Sequence, residues 1–339
     1  MSTITAARKR LVNPMVSVLL TAAILALILR RVPLAALGTA LRDADHGRFL
    51  ALMIPNTLFY FAWDTLVLAV AVRWFHTAVP YGELLPVRAA SYVVGFFNTN
   101  LGRGAMAAYL SRRLRAPFLE LGSTVLFLVL TEYTQLVLWA MLGLLGLRAD
   151  VSRSLLAVAA GVAVLWLIVR WLLAPRGWSI SRTFRLATPM RYSTIVLLRA
   201  PMFFVSLVLH YYAAHAFGIH IPFGQMLTFL PVVFMVAALP VTVAHLGSTQ
   251  AAWIFFFSQY APIPRLLAFS LAAHLVFALT RAALGVLWLP VAYLDLMEAG
   301  AAIEARPLRH SSFASFASFA SFAASAFNRG CFFSRSGSE

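Results

Sequence analysis

Three ionisable side chains, Asp64, Glu132 and Arg281, stand inside long apolar runs of this sequence. A charge in hydrocarbon is costly enough that each is a functional candidate by default. Glu132 lies 30 residues after Gly102 and Arg281 lies 34 after Gly247. A pair between Glu132 and Arg281 would satisfy both charges in a low dielectric. Two roles for such a pair stay open. It could lock helices together, or Arg281 could grip a lipid phosphate that Glu132 releases when the two re-pair. Asp64 directly follows Trp63, and a structural place near an interface is expected for it.

Two polar breaks accompany these charges. The first reads Asn98-Thr99-Asn100-Leu101-Gly102-Arg103-Gly104, and the second supplies Thr242, His245, Gly247, Ser248, Thr249 and Gln250. Small residues and amides can leave backbone N–H groups free to face an anion. Either break could equally be a simple helix-ending turn. Because the two recur at equivalent places, a polar cavity is expected where they meet, with Asn98, Asn100, Arg103, His245 and Gln250 among its binding residues.

Other chemistries find little support. His210, His215, His245 and His274 do not form a metal-ligand spacing, and no acidic residue lies between Asp150 and Asp295, so neither metal nor cofactor is expected. His210 and His215, beside Tyr211 and Tyr212, suit an interfacial position. No phosphate-binding Gly-rich loop ending in Lys occurs, nor an Asp-rich magnesium motif. His46 with Asp43 or Asp45 is only a loose local coincidence. The chain is expected not to be an enzyme.

The elements that must position these residues are membrane helices. Hydrophobic residues make up 62% of the 339 and charged ones 11%, with a mean hydropathy of +0.85, values outside the soluble globular class. The net charge of +16 therefore points to helix flanks and lipid head groups, not to nucleic acid. The single cysteine, Cys331, excludes a disulfide framework within the chain.

About 20 apolar residues carry a helix across a bilayer. Six full spans are predicted, over 11–29, 49–72, 118–147, 154–174, 193–217 and 264–294. The first comes after Arg8-Lys9-Arg10 and is too long for a signal-peptide core, so it is expected to be retained. Two further stretches, 83–102 and 223–260, are interrupted by Pro86 and Gly95 and by Pro231, Pro240 and Gly247, which predicts broken or re-entrant helices.

An internal repeat ties these segments together. Nine of the 37 residues from Leu85 to Leu121 recur 145 positions downstream without a gap, where chance in so apolar a chain gives roughly one in ten. The matches include Pro86 with Pro231, Gly102 with Gly247 and Pro117 with Pro262. Basic clusters at Arg103 to Arg115 and Arg170 to Arg191 orient the helices, and placing both in the cytoplasm makes the repeat an inverted one. Arg30, Arg31, Arg42 and Arg48 then fall outside, only partly offset by Asp43 and Asp45.

The expected fold is an all-α polytopic membrane protein with about six spans and two broken segments. Its divisions are an N-terminal helix and loop over 1–48, a first membrane half over 49–174, a basic loop over 175–192, a second half over 193–294 and a tail over 295–339. Four Ser-Phe-Ala triplets between Ser312 and Ala323 mark the tail as low complexity, and it is expected to be disordered.

The two breaks, together with the charged helices downstream of them, resemble the lysylphosphatidylglycerol synthase transmembrane, or flippase-like, family over roughly 49–294. Asn98 to Gly104 with Glu132 beyond it is similar to the family's first-half pattern, and Leu239 to Gly247 with Arg281 beyond it to the second. The acid that comes after the first glycine in the family is Ala105 here, and Gln250 stands at the second-half acid. The resemblance implies the lipid-translocating portion without the aminoacyl-transferase domain. Its partners would be membrane lipids with an anionic or phosphate-bearing head group, in the bacterial cytoplasmic membrane. Movement of such a lipid between leaflets is one expected function. The other is a non-catalytic partner presenting lipid to a separate biosynthetic enzyme.

Overall fold

The computed structural model describes the backbone of residues 21–24, 26–30, 32–97, 99–145, 179–238 and 246–304, with side chains of 96–100 and of residues beyond 294 outside that description. The chain divides into two compact units, 1–296 and 297–339. The helices that carry the candidate residues belong to the first unit.

The protein is an all-α, multi-pass membrane protein. Among the described residues the helices are α1 (Leu34–Arg42), α2 (His46–Phe75), α3 (Tyr81–Phe97), α4 (Thr99–Leu114), α5 (Phe118–Leu145), α6 (Arg182–Leu186), α7 (Pro189–His215), α8 (Phe223–Ala238), α9 (Ser248–Phe257) and α10 (Ile263–Glu304). Four segments are long and apolar enough to cross a membrane: α2, α5, α7 and residues Ile263–Leu294 of α10. A fifth arises if the helix Thr21–Arg30 and α1, bent by 89° at their junction, count as one span. The predicted span over 154–174, like residues 11–20 of the first, lies outside the described residues.

Local chemistry explains where the spans begin. Asp45 caps α2 by accepting from the Arg48 backbone N–H at 2.9 Å. Thr188 caps α7 in the same way for Arg191, with Pro189 at the first helical position. Each cap satisfies a donor that the first turn leaves orphaned, and a proline at that position sacrifices no bond. Pro86 and Pro231 sit inside α3 and α8, where each removes one ladder bond and loosens the helix. The two interrupted stretches accordingly fold as helix pairs, α3 with α4 and α8 with α9.

The 145-residue repeat is visible in this order. A long span, two shorter helices and a second long span occur as α2 to α5 and again as α7 to α10, and α5 begins at Phe118 where α10 begins at Ile263. The corresponding spans α2 and α7 pack side by side. Ser206 Oγ donates to Asn56 Oδ1 at 2.8 Å, and Trp63 Nε1 donates to the Leu198 carbonyl at 2.6 Å. As numbers rise in α2 they fall in α7, so the pair is antiparallel.

Glycines draw the two halves together. A Cβ on Gly143 of α5 would lie 2.5 Å from the Thr228 side chain on α8, and one on Gly285 of α10 would lie 2.9 Å from the Ala89 carbonyl of α3. Each half thus seats its last span against the first broken helix of the other. Within the first pair, a Cβ on Gly102 would lie 2.7 Å from Gly95 Cα. Backbones approach this closely only where the side chain is hydrogen. The apolar core gathers Phe49, Phe217, Trp253 and Phe269 in one cluster and Phe75, Phe127 and Phe184 in another. Leu197, Leu275, Leu279 and Leu287 are exposed on the spans, as a lipid-facing surface requires.

At one end of α2 a polar knot holds α6. Arg182 pairs with Glu120 at 3.2 Å and donates to the Phe75 carbonyl at 2.5 Å and to His76 Nδ1 at 3.1 Å. His76 Nε2 and Thr124 Oγ1 are 2.8 Å apart, which leaves the ring neutral with its proton on Nε2.

Candidate functional site

Charged residues inside the spans α2, α5, α7 and α10 meet others from the shorter helices α3 and α4 in one cluster. Three helices each present a pair of side chains four residues apart, and hence on one face: Tyr60 and Asp64 of α2, Arg88 and Tyr92 of α3, and Phe277 and Arg281 of α10. Arg103 comes from α4, Glu132 and Gln135 from α5, and Arg199 from α7.

Asp64 is the anchor. Its carboxylate accepts from Arg88 on one oxygen and from Arg199 Nη1 at 3.3 Å on the other. Asp64 and Arg199 are both buried, and Gln135 Nε2 holds α7 in place by donating to the Arg199 backbone carbonyl at 3.0 Å. Asp64 is buried among the helices, where two guanidiniums compensate its charge.

Glu132 occupies the more open side. Tyr60 donates its hydroxyl to Glu132 Oε1 at 3.2 Å, while Arg103 Nη2 stands 3.6 Å from Oε2, beyond hydrogen-bonding distance. The side chains of Arg103 and Glu132 retain 22% and 23% exposure, against 3% and 6% for Arg199 and Asp64. The expected ion pair of Glu132 with Arg281 is corrected: Glu132 faces Arg103. Arg281 lies instead on the Tyr92 ring, its Cζ 3.7 Å from the centroid, with Phe277 at 4.9 Å. Arg88 approaches the same Tyr92 ring at 5.3 Å. An aromatic face attracts guanidinium through its quadrupole, but it accepts none of the N–H bonds in the guanidinium plane.

The consequence is a set of donors without acceptors. Arg88 Nε, Arg199 Nε and Arg281 Nε are buried and have no hydrogen-bond partner. Among the described residues four guanidiniums face two carboxylates, so the cluster carries two uncompensated positive charges. Arrays of guanidinium donors of this kind suit an anionic ligand.

The second break contributes less. Gly247 has φ +88, a conformation other residues rarely adopt, and its N–H donates to Gln250 Oε1 at 2.7 Å. Gln250 is fully buried, and its Nε2 lacks a partner. Asn98 and His245 lie outside the described residues, as does the side chain of Asn100. His210 packs against Phe234 and Phe269 and is bonded at Nδ1 to the Ser206 carbonyl. Among the described residues no group of His, Cys, Asp or Glu is placed to hold a metal ion.

Of the expected site residues, the structure brings together Asp64, Arg103, Glu132 and Arg281. It adds Tyr60, Arg88, Tyr92 and Arg199. The charges of Arg88 and Arg199 within apolar runs are the sequence signal for two of these. No protein-family model matches the chain, nor does any curated protein.

Proposed function

We propose that this protein moves, or helps to move, an anionic lipid or lipid-linked amphiphile between leaflets of the bacterial cytoplasmic membrane, without acting as an enzyme. The observation that carries the reading is the excess of guanidinium over carboxylate where the helices meet, with buried donors that await an acceptor. The head group would sit among the arginines while its chains stay in the bilayer. The resemblance to the flippase-like lysylphosphatidylglycerol synthase membrane family accords with this role. So does an inverted repeat, which the antiparallel packing of the corresponding spans α2 and α7 supports; halves of that kind can alternate access to a site between them.

A second reading, a lipid-binding partner that presents its lipid to a separate enzyme, is favoured by the glycine seams, which leave little room for the halves to slide. Reconstitution separates the two. Purified protein in liposomes containing head-group-labelled anionic lipids accelerates their movement between leaflets under the first reading. Arg281→Ala removes that acceleration with helicity unchanged. Binding without acceleration across a broad lipid panel rules for the presenting role.

A further inference from the structure

We infer that the arginine cluster selects a doubly charged phosphate, a phosphomonoester or pyrophosphate head group on a lipid chain, over the singly charged phosphodiester of ordinary phospholipids. This selectivity rests on the head-group reading and adds the substrate class to it.

Charge and donor count both favour the dianion. In a low dielectric an uncompensated charge is far more costly than in water. Arg88, Arg103, Arg199 and Arg281 face only Asp64 and Glu132 among the described residues, so two negative charges are needed to neutralise the cluster. A phosphodiester supplies one, and a zwitterionic head group brings a further cation. A phosphomonoester ionises a second time near pH 6 and supplies two charges on three terminal oxygens. The buried Nε–H groups of Arg88, Arg199 and Arg281 are the unused donors for those oxygens.

The lipid chain follows from the head-group reading, and α2 carries an apolar hollow on a face other than that of Tyr60 and Asp64. Phe59, Ala62, Trp63, Leu66 and Tyr81 line it, and its volume is about 320 Å³. Phe59 and Trp63 stack at 5.4 Å there, about 100° round the helix from Tyr60 and Asp64. Glu132 competes with the ligand. Its contact with Arg103 is loose at 3.6 Å and lies on the open side, so an arriving phosphate takes over Arg103.

The test is binding by the full-length protein in detergent at pH 8, using short-chain phosphatidic acid, short-chain phosphatidylglycerol and glycerol 3-phosphate. Phosphatidic acid binds about tenfold more tightly than phosphatidylglycerol, a difference of about 1.4 kcal/mol. Glycerol 3-phosphate displaces it only at far higher concentration. Arg281→Gln weakens phosphatidic acid and narrows the preference, and Glu132→Gln strengthens binding by removing the competing carboxylate. Arg281→Lys, which keeps one positive charge and loses the planar fork, provides a milder loss if Arg281→Gln fails to fold. Equal affinity for the two lipids overturns the selectivity, and equal displacement by glycerol 3-phosphate overturns the lipid assignment. Selective binding without movement in liposomes sinks the translocation reading alone.

Discussion

Asp64 and Arg199 are separated by 135 residues, yet their side chains meet at 3.3 Å in the interior and join the first half of the molecule to the second. Arg88 occupies the other carboxylate oxygen, so one anion holds two cations. Removing one partner of a buried ion pair typically costs about 3–5 kcal/mol, because the survivor is left unpaired in low dielectric. Asp64→Ala is expected to lose stability on that scale in reversible unfolding from detergent. Asp64→Leu combined with Arg199→Met recovers part of it, since of the two cations only Arg88 is then left without its carboxylate. A double variant as weak as the sum of the singles would deny that the two residues act as a pair.

His76 makes stability depend on pH. Burial first, and the Arg182 guanidinium second, hold its imidazole at about 4, below the usual 6.5. The ring accepts from Arg182 at Nδ1, and a proton there would remove that bond and set two cations together. The unfolded chain takes up the proton from about pH 6.5 downward while the folded protein resists it. The contribution of the neutral ring is therefore whole above pH 6.5 and declines as the pH falls toward 4. Thermal unfolding of wild type and His76→Gln should show a gap at pH 7.5 that narrows by pH 4.5. A gap that is constant with pH would remove His76 as its source.

Glycines in the helices separate into those that bear contacts and those that do not. Gly102→Ala and Gly143→Ala place a methyl group 2.7 Å and 2.5 Å from neighbouring atoms, and overpacking of this kind costs about 1–3 kcal/mol. Gly104 and Gly122 have nothing within 4 Å of an added Cβ. Alanine there is expected to stabilise by about 0.5–1 kcal/mol through reduced freedom of the unfolded chain. Melting temperatures of the four single variants check the contrast, and a loss at Gly104 equal to that at Gly102 would contradict the close approach of α3 and α4.

The scaffold is legible in the sequence because proline and apolar length act locally. Pro117 and Pro262 immediately precede α5 and α10, and the predicted spans over 49–72, 118–147 and 193–217 differ from α2, α5 and α7 by a few residues at each end. The cluster is legible only in part. Glu132 and Arg281 stand out as charges in apolar runs, but their positions do not reveal which neighbour each helix face meets. Arg281 pairs with an aromatic ring across α3, and no charge rule anticipates that partner. Arg88 lies in a run whose proline and glycines suggest a break, and Arg199 in a span notable for length alone. The spacing of Tyr60 with Asp64, Arg88 with Tyr92 and Phe277 with Arg281 is a four-residue signal, but only the fold turns those three faces toward one another.

Antiparallel α2 and α7 bear directly on how the two halves lie in a membrane. Three hydrogen-bonded or ionic contacts, Asn56 with Ser206, Trp63 with Leu198 and Asp64 with Arg199, set their opposite run. If both cross the bilayer and correspond in the repeat, equivalent residues of the two halves face opposite sides. Phe118 and Ile263 open α5 and α10, are 145 positions apart and are both exposed. In a Cys331→Ser background, Phe118→Cys and Ile263→Cys would each carry one thiol for a membrane-impermeant maleimide. The two should label from opposite sides of sealed vesicles, Phe118→Cys from the side that is cytoplasmic by the basic-flank rule. Labelling of both from one side would exclude the inverted arrangement, and a head-group site between the halves would then need another route of access to the two leaflets.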